Sequence, residues 1–143
     1  MTREEFIEYL ESKKIDFQIE ASGMIVVTYD DNDLYLDNTV TEIPSGVEFR
    51  TSRQVRGTYV KVVNPNVIFN MQGKWGSEPW VWLPHAEKIY PGVEFHNNGS
   101  CVLKVFEREG RSNINTFRHW YGNIKGIDSN KLLNAMIKSE LFI

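Results

Sequence analysis

The phrase IPSGVEF at residues 43–49 returns as IYPGVEF at residues 89–95, with five of seven positions identical at an offset of 46 residues. In a chain of 143 residues such a duplication calls for a structural cause, and the simplest is a repeat in which each unit needs its neighbour to complete a core. Pro44 and Pro91 stiffen a bend, Gly46 and Gly92 supply dihedrals that other residues avoid, and the Val and Phe that follow point to an interior. Between the two copies, NPNVIFN at residues 64–70 keeps the proline and the apolar pair but lacks the glycine, so it is either a degenerate coil or no coil. Short β-prone runs begin at Leu34 (LYL), Tyr59 (YVKVV), Val81 (VWL) and Val102 (VLKVF), at spacings of 25, 22 and 21 residues. A period of about 20–29 residues with one strand per unit is the pattern of leucine-rich and related solenoids.

The segment DLYLDNTVTEIPSGVEF at residues 33–49 resembles the LPxG-type, leucine-rich-repeat-like coils of bacterial and bacteriophage proteins. There an L-x-L strand and a polar turn with Thr lead into a proline-glycine bend, and residues 81–95 repeat the likeness in part. The resemblance implies a small right-handed solenoid sheet and protein recognition, and it carries no catalytic residues across.

Thr2 followed by Glu5 is a capping box, and Phe6, Ile7 and Leu10 recur at helical spacing behind it. Ile15, Phe17 and Ile19 alternate with polar residues and, with MIVVTY after them, predict a hairpin that the acidic turn DDND at residues 30–33 closes. That run lacks the spacing and distal glutamate of a calcium loop. Beyond Phe106 the pattern becomes helical, with a short helix capped by Ser112 or Asn113 and a clearer one over residues 129–141, where Leu132, Leu133, Met136 and Ile137 share a face. The expected fold is therefore α+β in a single domain of residues 1–143. A helix and hairpin cap residues 1–32, a short β-solenoid or repeat sheet spans 33–106, and a helical cap closes 107–143.

Composition restricts the function classes. No uninterrupted apolar run exceeds four residues, so no membrane helix is expected, and the opening MTREEFIEYLESKK carries four glutamates where a secretory signal places basic residues. Cys101 is the one cysteine, which excludes an intrachain disulfide and suits the cytoplasm. Up to Phe49 three basic residues face twelve acidic ones, whereas from Arg50 onward thirteen basic residues face seven. Such a division either holds two parts of one fold together or marks a surface for a charged partner.

Two segments carry the candidate binding residues. GKWGSEPWVWLPH holds Trp75 on a glycine-flanked loop, and Trp80 with Trp82 on one side of a strand, where they serve either as anchors for a partner or as core beneath flanking helices. EREGRSNINTFRHWYGN gathers Arg108, Arg111, Arg118, His119, Trp120 and Tyr121, a set suited to a phosphate or a carboxylate, or else a solvated turn and amphipathic helix. RTSRQVR at residues 50–56 adds three arginines, which make a basic patch if both runs share a face. His85, His96 and His119 fit no common zinc spacing, and His85 with Glu87 or His96 with Glu94 supplies one base-and-carboxylate pair of a kind that arises by chance in most proteins. The sequence contains no glycine-rich phosphate loop or nucleophile–base pattern, and no cofactor is expected. The reading is a non-enzymatic protein-binding module, such as a phage-derived inhibitor or modulator of a host protein. The alternatives are a binder of nucleic acid or a small nucleotide-like anion through the arginine and aromatic residues, and a hydrolase using the His/Glu pairs.

Overall fold

Thr2 opens the first helix, α1 (Arg3–Ser12), through the capping box: its hydroxyl accepts the Glu5 N–H at 3.1 Å and the Glu5 carboxylate accepts the Thr2 N–H at 3.0 Å. The computed structural model describes residues 1–30, 32–72, 80–90, 92–97, 103–105 and 119–121. Helical spacing puts Phe6, Tyr9 and Leu10 on the buried face of α1. Lys14 then turns left-handed (φ 56°), so that Ile15 N–H reaches the Leu10 carbonyl at 2.9 Å and Lys14 N–H the Glu11 carbonyl at 3.1 Å. This is a Schellman ending, with lysine where glycine is usual.

The strands follow as β1 (Phe17–Ile19), β2 (Ile25–Tyr29), β3 (Leu34–Leu36), β4 (Glu42–Ile43), β5 (Val47–Thr51), β6 (Val55–Gly57) and β7 (Val62–Val63). After them come β8 (Val67–Met71), β9 (Trp80–Trp82), β10 (Lys88–Ile89), β11 (Glu94–Asn97), β12 (Leu103–Val105) and β13 (His119–Tyr121). They form three sheets that the chain visits in rotation: a first of order β1-β2-β5-β8-β11, a second of order β10-β7-β4 and a third of order β13-β12-β9-β6-β3. Every pairing is parallel except β1 with β2 and β12 with β13, at the sheet edges. The mixture of one helix and short strands makes the fold α+β, and the described sheets close into no barrel.

Alternation decides what each strand buries. In β5 and β8 the first, third and fifth residues are buried and the others half-exposed. The register places Val27, Phe49, Phe69 and Phe95 in one interior row. Phe49, Phe69 and Phe95 stack nearly parallel at 5.3 and 5.2 Å, and Phe6 of α1 meets Phe49 edge-on at 6.3 Å. Ile43, Val63 and Ile89 make a second row, and Leu34, Val55 and Val81 a third, all buried. The repeated bend recurs with them: Gly46 (φ 81°), Asn66 (φ 62°) and Gly92 (φ 96°) are all left-handed. Gly46 N–H bonds the Asn66 carbonyl, and Asn66 N–H the Gly92 carbonyl. NPNVIFN is therefore a third copy of the phrase, and asparagine, the next residue after glycine to tolerate this conformation, fills its place.

Three expectations need correction. Each unit holds up to three short strands rather than one. The second unit's counterpart of LYL is Val55–Gly57, within the arginine-rich run, while Tyr59 and Val60 lie in a turn where Val60 N–H bonds the Gly57 carbonyl at 3.2 Å. His119–Tyr121 is a strand antiparallel to β12, not part of a helix. The described residues of the DDND run lie between β2 and β3: Asp30 accepts the Ser52 N–H at 3.2 Å and Asp33 the Gln54 N–H at 3.1 Å, which anchors one unit to the next. The helix expected over residues 129–141, the short helix after Ser112, and Cys101 lie outside the described residues.

Candidate binding face on the third sheet

In β3 and β6 of the third sheet the first and third residues turn inward and the middle one outward, and in β9 Val81 turns inward and Trp82 outward. Parallel register then sets Tyr35 beside Arg56 and Arg56 beside Trp82 on the outer face. The Arg56 guanidinium carbon stands 5.4 Å from the centre of the Tyr35 ring and 4.6 Å from that of Trp82. Tyr35 is 60 % exposed and Arg56 and Trp82 are half-buried, so the column is open to solvent. Two rings flanking one guanidinium stabilise it by the attraction of the ring faces for a cation, and they leave the N–H edge of the group free to donate.

The other arginines of RTSRQVR are used differently. Arg50 lies on the first sheet and bonds Glu48 at 2.7 Å, and Arg53 sits in a turn 3.6 Å from Asp33. Among the described residues no carboxylate pairs with Arg56. The three arginines of this run are thus divided over separate surfaces, and one of them is left for a partner.

Of the residues singled out from sequence, Trp80, Trp82, His119, Trp120 and Tyr121 all fall on the third sheet. Register sets Lys104 opposite Trp80 on one side and Trp120 on the other, and pairs His119 with Val105 and Tyr121 with Leu103. Trp82 is on the outer face, not in the core. Trp75, Arg108, Arg111 and Arg118 lie outside the described residues. Sequence reasoning missed Tyr35 and took Arg56 only as one of three arginines of a candidate basic patch; the signal that joins them is the shared middle position of LYL, VRG and VWL.

Other clusters are less developed. His96 Nε2 stands 3.4 Å from Glu94 on the first sheet, beyond normal hydrogen-bond length, and His85 is exposed. Among the described residues no three His, Cys, Asp or Glu side chains gather as metal ligands, and no helix is long and apolar enough to cross a membrane. At the α1 end, Lys13 pairs with Asp37 at 2.9 Å; the Lys13 hydrogen bond holds the Asp37 carboxyl below its ordinary range, and the lysine is raised in return. No protein-family model matches the chain, nor does any curated protein or solved structure.

Proposed function

We propose that this chain is a non-enzymatic, cytoplasmic protein-binding module whose three strand ladders form the faces of a short β-solenoid. Its third sheet docks a partner protein, in the manner of a phage protein that blocks or redirects a host target. The Tyr35–Arg56–Trp82 column carries the reading: an arginine held between two aromatic rings, unpaired among the described residues and open to solvent. Tyrosine, tryptophan and arginine are the residues that dominate interface energetics, and the rings fix the guanidinium beforehand, so docking orders few side chains. A partner carboxylate would take the free N–H edge while an apolar side chain covers Tyr35. The rotation of the chain through three parallel ladders supports the solenoid, and the resemblance of residues 33–49 to leucine-rich-repeat-like coils agrees with a recognition role.

A second reading, a nucleic acid or nucleotide-like anion on the same sheet, has one observation in its favour, the register of Lys104 between Trp80 and Trp120. The test is capture with the whole chain as bait, followed by affinity measurements on the captured protein with Arg56→Ala and Trp82→Ala. Each substitution should weaken binding at least about tenfold. A partner bound equally by both variants, or oligonucleotide binding that falls steeply with salt and no protein partner, would replace the protein-docking reading.

A further inference from the structure

The edge of the third sheet at β3 is built differently from its neighbours. In the first sheet β1 covers the corresponding edge, and in the second the Met1 ammonium lies on Glu42 of β4. At β3 nothing among the described strands pairs on that side. Leu34 N–H bonds the Gln54 carbonyl at 2.8 Å, and the parallel register gives Leu34 and Leu36 the bonds to β6. Tyr35 between them therefore directs its N–H and C=O to the open edge. Asp37, of the same parity, confirms the direction, because its N–H donates to the Tyr9 hydroxyl of α1 at 3.1 Å.

A cleft of about 240 Å³ lies along this edge, bounded by Tyr9, Lys13 and Ile15 on the helix side and by Tyr29, Asp33 and Tyr35 on the strand side. It shares Tyr9 and Lys13 with a second hollow of about 440 Å³ that runs along α1 past Glu5 and Glu8. Glu5, Glu8, Asp33 and Asp37 face this groove against Lys13, which Asp37 already neutralises. Asp33 also meets Arg53, so the charge left over is that of Glu5 and Glu8.

We infer that the β3 edge is a strand-addition site that takes an extended, basic peptide segment of a partner protein. The free N–H and C=O of Tyr35 give the segment its main-chain bonds, the Ile15–Tyr29 cleft takes an apolar side chain, and lysine or arginine beside it meets Glu5 and Glu8. This site shares Tyr35 with the outer-face column but uses its backbone rather than its ring, so its failure would leave that proposal standing.

The test uses a short dye-labelled peptide of alternating lysine and valine, a glutamate–valine counterpart, and a lysine–valine peptide N-methylated at alternate backbone nitrogens, each titrated by fluorescence anisotropy. The basic peptide should bind and the acidic one should not, and N-methylation, which keeps charge and side chains, should cost about tenfold or more. Tyr35→Pro removes the edge N–H and should weaken the basic peptide similarly, whereas Tyr59→Ala, at an exposed position of the turn after β6, should leave it unchanged. Glu8→Lys should weaken it through charge alone. Absence of binding by the basic peptide, equal binding of both charge types, or indifference to N-methylation overturns the inference.

Discussion

The rings of Phe49 and Phe69, twenty residues apart in sequence, stack with centroids 5.3 Å apart and planes 9° from parallel. Hydrogen-bonded strands lie about 4.8 Å apart, so identical rings at identical register positions can meet only in a slightly offset stack. Phe69 has such a neighbour on both sides, since Phe95 repeats the contact at 5.2 Å. Phe69→Ala should therefore cost about 3–5 kcal/mol in urea unfolding, the range for a buried ring that leaves a cavity. Phe69→Leu should cost distinctly less, because it keeps most of the volume.

Asn66 holds the left-handed position that Gly46 and Gly92 hold in the neighbouring bends. Asn66→Gly should be close to neutral, and Asn66→Ala should destabilise by about 1 kcal/mol, since alanine lacks the asparagine's tolerance of this conformation. Gly46→Ala should behave alike. The nearest atom to its new Cβ is Arg3 Nη1 at 3.6 Å, so its penalty comes from the backbone, not from crowding. Thermal and urea melts of the three variants check the ordering.

Gly57 tests the opposite case. A Cβ there would stand 2.8 Å from both Leu83 Cδ2 and Val60 Cγ2, and the register seats the residue beside Leu36. Gly57→Ala should cost about 1–3 kcal/mol by overpacking. Gly57→Ala combined with Leu83→Ala should recover part of that loss, which a backbone penalty alone would not allow.

The local signals were legible in the sequence because their causes are local. Thr2 and Glu5 cap a helix through contacts three residues apart, and the Pro-Gly bend with its Val and Phe reports a dihedral and an interior row. The hairpin of β1 and β2 was legible for the same reason. The phase of the repeat was not. Tyr59–Val63 has the β-branched and aromatic content of a strand, yet pairing with Leu34–Leu36 selects Val55–Gly57, whose Arg and Gly read as a bend. His119–Tyr121 was missed because it lies in a segment of helical pattern, and its nearest partner, Val105, is fourteen residues away. The Tyr35–Arg56–Trp82 column required the register, which exists only once neighbouring units are stacked.

Acid should weaken the fold through two carboxylates near its α1 end. Glu42 is held below its ordinary 4.5 by the hydrogen bond from the amino-terminal ammonium and then by that from Asn64. Asp37 is held below its ordinary 3.8 by Lys13 and then by the Thr39 N–H. A depressed carboxyl binds its proton more readily in the unfolded chain, so its stabilisation is present above the ordinary value and is lost as pH falls through the folded one. Lys13 is raised, so its contribution persists through neutral pH and is lost only as pH rises past its ordinary 10.5 toward the folded value. Melting temperature should hold from neutral pH down to about 5 and fall below that. Asp37→Asn should flatten part of the acid limb while lowering stability at neutral pH, and the effect should be modest because the Lys13–Asp37 pair is exposed.

Arg56 and Trp82 should be energetically coupled. A guanidinium 4.6 Å from an indole centre on a partly exposed face is worth about 0.5–1 kcal/mol, and the ring is lost to the arginine if either side chain is truncated. A double-mutant cycle of Arg56→Ala and Trp82→Ala, read by urea unfolding, should return a coupling in that range. Because contact with a ring face is screened less than an ion pair between exposed side chains, the coupling should persist in high salt. Arg56→Lys keeps the charge but loses the planar group that lies between the two rings, so it should retain only part of the coupling and bind a captured partner more weakly than the native chain. A coupling of zero would mean that the column is not formed in solution, and the outer-face docking proposal would then lose the observation that carries it.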